Sequence, residues 1–131
     1  SARLLSYVCV PTLYQKVVGE CVDLTSDLSI YQKNKDLFYN ALVDMGYECV
    51  EPGGAFYLFP KCDSFFGKSA GDRNINNADD LAMYLLEVGH VACVGGTSFG
   101  SPECIRMSYA TSDENIIEAM RRIKEALALL K

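Results

Sequence analysis

Apolar residues recur at three- and four-residue intervals in long stretches of the chain and alternate with polar ones in shorter runs between them. That mixture predicts helices separated by short strands. Pro11 suits the first turn of a helix, which residues 12–22 continue. Thr25, Ser26 and Asp27 offer N-cap oxygens for a second helix, where Leu28, Tyr31, Phe38, Leu42 and Met45 form one stripe. Gly46 then stands at its C′ position. Residues 47–51 and 55–62 read as two strands of a hairpin around Glu51-Pro52-Gly53-Gly54. Residues 63–76, rich in Gly, Ser, Asn and Asp, read as a loop. Asn77 with Asp80 three residues later predicts a capped helix with Leu81, Tyr84, Leu85 and Val88 on its buried face, ended by Gly89. Residues 90–94 and 104–110 read as two more strands, joined by a glycine-rich connection. Thr111 with Glu114 is a second capping box. It opens a helix running to the chain's end, with Ile116, Met120, Ile123, Leu127 and Leu130 as its apolar stripe. Asp113, Glu114 and Glu118 lie early in it and Lys124 and Lys131 late, which suits the helix dipole.

This order predicts an α+β fold, an α/β sandwich in which helices cover a small, mostly antiparallel sheet of about four strands and a long helix closes the chain. No repeat or linker divides residues 1–131, so they read as a single domain. Half of the residues are hydrophobic and 22% are charged, enough apolar material for a core and too much for disorder. The net charge of −5 argues against nucleic acid and anionic membranes as partners, because both select clustered basic residues. No apolar run approaches the ~18 residues of a membrane span. Ser1 to Ser6 is too short and broken an apolar stretch for a signal peptide. Cys9, Cys21, Cys49, Cys62, Cys93 and Cys104 are scattered singly, with His90 the lone histidine. That spacing suits neither a zinc site nor a disulfide framework, and it is expected of reduced thiols in a cytoplasmic protein.

Candidates for chemistry are few. His90, at a helix end, is expected to cap carbonyls or face solvent. The run Val94-Gly95-Gly96-Thr97-Ser98-Phe99-Gly100 lacks the Lys-Ser/Thr of a phosphate loop, and a strand rather than a helix follows it. It reads as a turn that needs positive φ. In residues 104–110, alternation sets Ile105, Met107 and Tyr109 on one face and Cys104, Arg106, Ser108 and Ala110 on the other. A mid-strand guanidinium among small neighbours either extends to solvent or binds an anion with two parallel hydrogen bonds, and spacing alone favours the first.

Several of these segments together resemble one family. Gly54-Ala55-Phe56-Tyr57-Leu58-Phe59-Pro60 resembles the G-A-F-Y-x-F-P signature of class I/II aminotransferases. Residues 94–100 are similar to their V-P-G-x-x-F-G loop, with Gly95 in place of the proline, a change expected to loosen the loop. Ile105-Arg106-Met107-Ser108-Tyr109-Ala110 resembles the arginine strand that precedes the family's last helix. Tyr31-Gln32-Lys33-Asn34-Lys35-Asp36 resembles the stretch leading into the small domain, and Val10-Pro11-Thr12 with Gln15 has its counterpart upstream.

The resemblance implies the C-terminal small domain of a fold-type-I, pyridoxal-phosphate-dependent aminotransferase of the aspartate-aminotransferase-like group, with residues 1–24 as the interdomain helix region. Arg106, by its place in the motif, would bind the α-carboxylate of amino-acid and 2-oxo-acid substrates. Phe56 falls where the family's strand approaches the cleft, and a core position is expected for it. The cofactor-bearing lysine and the other groups that hold pyridoxal phosphate belong to the family's large domain, upstream of this chain. Lys16, Lys33 and Lys35 fall on helix surfaces outside that motif. No catalytic, cofactor-binding or metal-binding residue is therefore expected in the chain itself. The expected partners are the large domain of the same protein and, at full length, a second copy in a homodimer. Separated from the large domain, the chain is expected to be inactive and to expose Leu4, Leu5, Tyr7 and Val8. The rival expectation is a stand-alone binding module of the same fold, in which Arg106 anchors a carboxylate without chemistry.

Overall fold

The computed structural model describes residues 10–25 and 27–131. Leu4, Leu5, Tyr7, Val8, Cys9 and Ser26 lie outside them. Helix α1 spans Thr12–Glu20 after Pro11, ending two residues short of the expected boundary, and none of its residues is buried. Helix α2 spans Ser29–Asp44, its first turn tied by the Ser29 N–H donating to Asp27 Oδ1 at 2.9 Å. It ends on Gly46 at φ +87°, with the Gly46 N–H on the Val43 carbonyl and the Tyr47 N–H on the Leu42 carbonyl. That is the 6→1 and 5→2 pattern that left-handed glycine permits.

The buried stripe of α2 departs from the expected one. Phe38 and Leu42 are in the core, but Leu28 and Tyr31 are exposed, and Asn34 and Lys35 take buried positions instead. Asn34 Nδ2 donates to the Thr111 carbonyl at 2.7 Å and the Tyr109 carbonyl at 3.3 Å, satisfying backbone groups where a leucine could not. Lys35 is drawn in by Glu51, 2.7 Å from its Nζ.

The expected hairpin is reduced to a single antiparallel bridge, Glu48 to Lys61. Strand β1, Tyr57–Leu58, pairs instead with β5, Ile105–Ser108, which also pairs with β4, Val94–Gly95. The sheet is therefore three antiparallel strands in the order β1-β5-β4 rather than about four. Residues 63–76 are more than a loop. They hold a 3₁₀ turn, Asp63–Phe65, and a two-stranded ladder of β2, Ser69–Ala70, with β3, Arg73–Asn74. Buried Phe65 and Ile75 anchor the segment to the core, and Gly71 at φ +64° turns the ladder.

Helix α3, Ala78–Glu87, is capped as expected by Asn77, whose side chain accepts from the Asp80 N–H at 2.8 Å. Leu81, Tyr84 and Leu85 are buried, while Val88, past the helix end, is half-exposed. Helix α4, Asp113–Leu127, buries Ile116, Met120, Ile123 and Ala126. Its cap is Ser112, accepting from the Asn115 N–H, one residue after the expected Thr111. Leu58, Ile105 and Met107 point from the sheet into the same core as these helices. The described residues leave the other face of the sheet partly open, with Val94 and Ser108 exposed there.

Candidate functional site

That open face carries Arg106. Alternation from buried Ile105 and Met107 sends its side chain outward, and the pairing of Val94 with Arg106 and of Tyr57 with Ser108 decides its neighbours. Tyr57 is diagonal to Arg106 across β1 and β5, within reach of a long side chain. The Tyr57 ring centre lies 4.5 Å from the guanidinium carbon, and Phe99 covers it from a centre 4.3 Å away. Phe59 meets Phe99 edge-on at 6.1 Å, and Phe56 packs on Tyr57 at 4.4 Å. Among the described residues no carboxylate is paired with Arg106, although Lys33, Lys35, Lys61, Arg73, Arg121 and Arg122 each have one.

This arrangement has a definite chemical capacity. Two aromatic faces against a guanidinium contribute on the order of 1 kcal/mol each and stop it from waving in solvent. The N–H donors all lie in the guanidinium plane, so rings packed against its faces do not compete for them. An edge with parallel donors fits a carboxylate.

Phe99 is delivered by a 3₁₀ turn, Gly96–Phe99, that ends on Gly100 at φ +78°. Only Gly100 needs positive φ there, so the expected reason for the glycines is corrected at the other two. Gly96 is required by space, and a side chain at Gly95 would displace the Asp79 carboxylate. A Cβ on Gly96 would stand 2.1 Å from the Ser101 carbonyl oxygen, and one on Gly95 would stand 1.8 Å from Asp79 Oδ1. Gly95 is buried in β4 at φ −61°, a value proline would also hold.

The other sequence candidates fall away from this face or change role. Phe56 is 43% exposed beside Tyr57, not a core residue. It follows Ala55 at φ +60°, whose carbonyl accepts the Tyr109 hydroxyl at 2.9 Å. His90 is exposed, as expected of a residue at a helix end, and it rather than Gly89 takes the left-handed conformation, at φ +53°. Cys104 is buried because β5 begins only at Ile105, so the strand's alternation does not reach it.

Burial pushes the thiols of Cys62 and Cys93 up to about 12, and it also raises those of Cys49 and Cys104, so none is a ready nucleophile. Hydrogen bonds raise the pKa of Lys33 (from Asp113), Lys35 (from Glu51) and Lys61 (from Glu48). That is opposite to what an amine condensing with an aldehyde needs. Among the described residues no group of three or more His, Cys, Asp or Glu is placed to hold a metal ion. No described helix is long and apolar enough to cross a membrane. Tyr57 and Phe99 were not singled out from the sequence as Arg106's neighbours. Tyr57 could have been found from strand register, whereas Phe99 depends on how the glycine turn folds back.

Comparison with known proteins assigns the family. The profile described as "Aminotransferase class I and II" matches residues 5–123. A protein named probable aspartate/prephenate aminotransferase, from Rickettsia prowazekii (strain Madrid E), is 47% identical over 98 residues, 73% of this chain and 25% of the relative. The crystal structure of the aspartate aminotransferase from Rhizobium meliloti superposes with a TM-score of 0.85 at 32% identity, over 97% of this chain and 34% of that one. The aspartate aminotransferase from Thermus thermophilus with maleate matches 74% of this chain and 23% of its own, at 32% identity and a TM-score of 0.63. The chain thus spans about a quarter of the length of the curated relatives it matches. From helix α1 through the arginine strand and most of helix α4 the family match is unbroken, and the chain belongs to the class I and II aminotransferases.

Proposed function

We propose that residues 1–131 are the C-terminal small domain of a pyridoxal-phosphate-dependent aminotransferase, joined through residues 1–24 to a large domain of the same polypeptide. The full-length protein transfers an amino group between an amino acid and a 2-oxo acid, with aspartate as the donor that the names of the relatives support. It works as a cytoplasmic homodimer. In this reading Arg106 binds the substrate's α-carboxylate. One observation carries it: a guanidinium packed against two aromatic rings, with no acid of its own among the described residues. The maleate with the Thermus thermophilus enzyme is a dicarboxylate, in keeping with an anion site of this kind.

Lys33, Lys35 and Lys61 are each paired with a carboxylate, which raises their pKa and works against the free amine that a Schiff base with the cofactor needs. Pyridoxal phosphate is accordingly assigned to the large domain. The 131-residue chain on its own should retain no stoichiometric cofactor absorbance after dialysis.

The test is kinetic. In the complete polypeptide, Arg106→Ala should lower kcat/KM for an amino acid by about 100-fold or more, and Arg106→Lys should recover only part, keeping charge without the fork. With an amine that carries no α-carboxylate the defect should largely vanish. Turnover of the amino acid by Arg106→Ala within a few-fold of the parent would refute the assignment.

A further inference from the structure

We propose that Asp79 is a positioning residue for the anion site: through Thr97 it fixes the 96–99 turn so that the Phe99 ring stays over Arg106. The inference rests on the reading of Arg106 as a carboxylate anchor. Asp79 lies in the first turn of α3 but is not needed for capping. Asn77 accepts from the Asp80 N–H, and Asp80 accepts from the Asn76 N–H at 2.9 Å, so its neighbours do that work. The Asp79 carboxylate turns instead to the glycine loop. Its Oδ2 accepts the Thr97 hydroxyl at 2.6 Å, and its Oδ1 fills the space that any side chain at Gly95 would take.

The base of the turn is closed by backbone, with the Gly96 N–H on the Cys104 carbonyl at 2.7 Å and the Ser101 N–H on the Gly96 carbonyl at 3.1 Å. Thr97 is the point between base and tip that a side chain holds, and Asp79 holds it. Phe99 sits at the tip, 46% exposed. Its ring meets Phe59 edge-on and Arg106, and the Gly100 N–H closes the tip on the Thr97 carbonyl at 3.1 Å, so where this small turn is set decides whether the ring covers Arg106. With the turn fixed, the Tyr57 and Phe99 rings both stay against the guanidinium, and an anion must take the donors they leave free. A planar carboxylate satisfies these with two parallel hydrogen bonds. A tetrahedral phosphonate presents its oxygens out of plane against the rings.

The experiment uses the complete polypeptide with Asp79→Ala, Thr97→Val and the double variant. Each single change should raise KM for the amino acid about three- to tenfold, the range a lost cation–π contact spans, with a smaller effect on kcat. The double variant should be no worse than either single one, because both cut the same link. KM for an amine without a carboxylate should stay unchanged, and discrimination against the aminoalkylphosphonate analogue of the amino acid should fall. The Arg106 Cδ and Nε proton shifts, displaced upfield by the two rings, should move back towards solvent-exposed values in Asp79→Ala. Unmoved Arg106 shifts, or an equal loss with the carboxylate-free amine, would overturn the latch. A silent Arg106→Ala would overturn the underlying reading.

Discussion

A methyl group at Gly96 would have to enter space already taken by the Ser101 and Cys104 carbonyl oxygens and the Phe59 ring, at 2.1, 2.6 and 3.1 Å. Two of these are backbone, so the clash cannot be relieved by a rotamer change. Gly96→Ala should therefore destabilise the protein by about 3 kcal/mol, whereas Gly53→Ala, with nothing within 4 Å of the added carbon, should fall within about 0.5 kcal/mol of the parent. Urea midpoints followed by circular dichroism compare the two; equal midpoints would show that the turn yields. Because Gly96 also sets the base of the turn that carries Phe99, the less stable variant should bind substrate less tightly as well. A glycine pair that reads in sequence as conformational freedom is at this site a matter of close approach, and no spacing rule distinguishes the two.

At the scale of elements, helix α4 combines an inner stripe of Ile116, Met120, Ile123 and Ala126 with an outer network of Glu118, Arg121, Arg122 and Glu125. Glu118 accepts from both arginines, and these hydrogen bonds hold its carboxyl down to about 2. A carboxylate with a depressed folded-state pKa adds stability that is complete above its unfolded value of 4.5 and is lost as pH falls towards about 2. The thermal midpoint should fall across that interval, and Glu118→Gln should flatten the fall; an unchanged slope would show the network to be silent. Lys33 with Asp113 ties α2 to the start of α4 and should act in the same direction, since its hydrogen bond lowers the Asp113 pKa. In the core, Ile123→Ala should cost about 2–5 kcal/mol.

For the molecule as a whole, helix α1 is the unusual part, a helix with no buried residue. Leu13, Tyr14, Val17 and Val18 are 69%, 60%, 49% and 65% exposed. An apolar surface of this kind marks a site of association. The 131-residue chain in isolation should associate as its concentration rises. Leu13→Gln with Val17→Gln should raise the concentration of half-association by about tenfold or more, equivalent to losing about 1.4 kcal/mol of apolar contact. Sedimentation at several concentrations checks this, and a parent chain that stays monomeric throughout would refute it.

Local rules carried far in this chain. They overran at the end of α4: the helix stops at Leu127, and Leu127 and Leu130 are only partly buried. The capping oxygen of Asn77, the C′ glycine at Gly46, Ile116, Met120 and Ile123 of the α4 stripe and the outward turn of Arg106 all follow from backbone geometry within a few residues, and each was legible from sequence. So was the family, through motifs kept in order. What residues distant in sequence do to one another was not legible. Asn34 is buried because carbonyls at Tyr109 and Thr111 need its amide, and the expected 47–62 hairpin is only a bridge while β1 pairs with the distant β5. Residues 63–76 are ordered because Phe65 and Ile75 reach the core. The candidate site divides along the same line. Sequence alone placed a guanidinium on an open strand face. Tertiary structure decided that two aromatic rings from different elements pack against it, because Tyr57 comes by sheet register and Phe99 by the turn that follows β4.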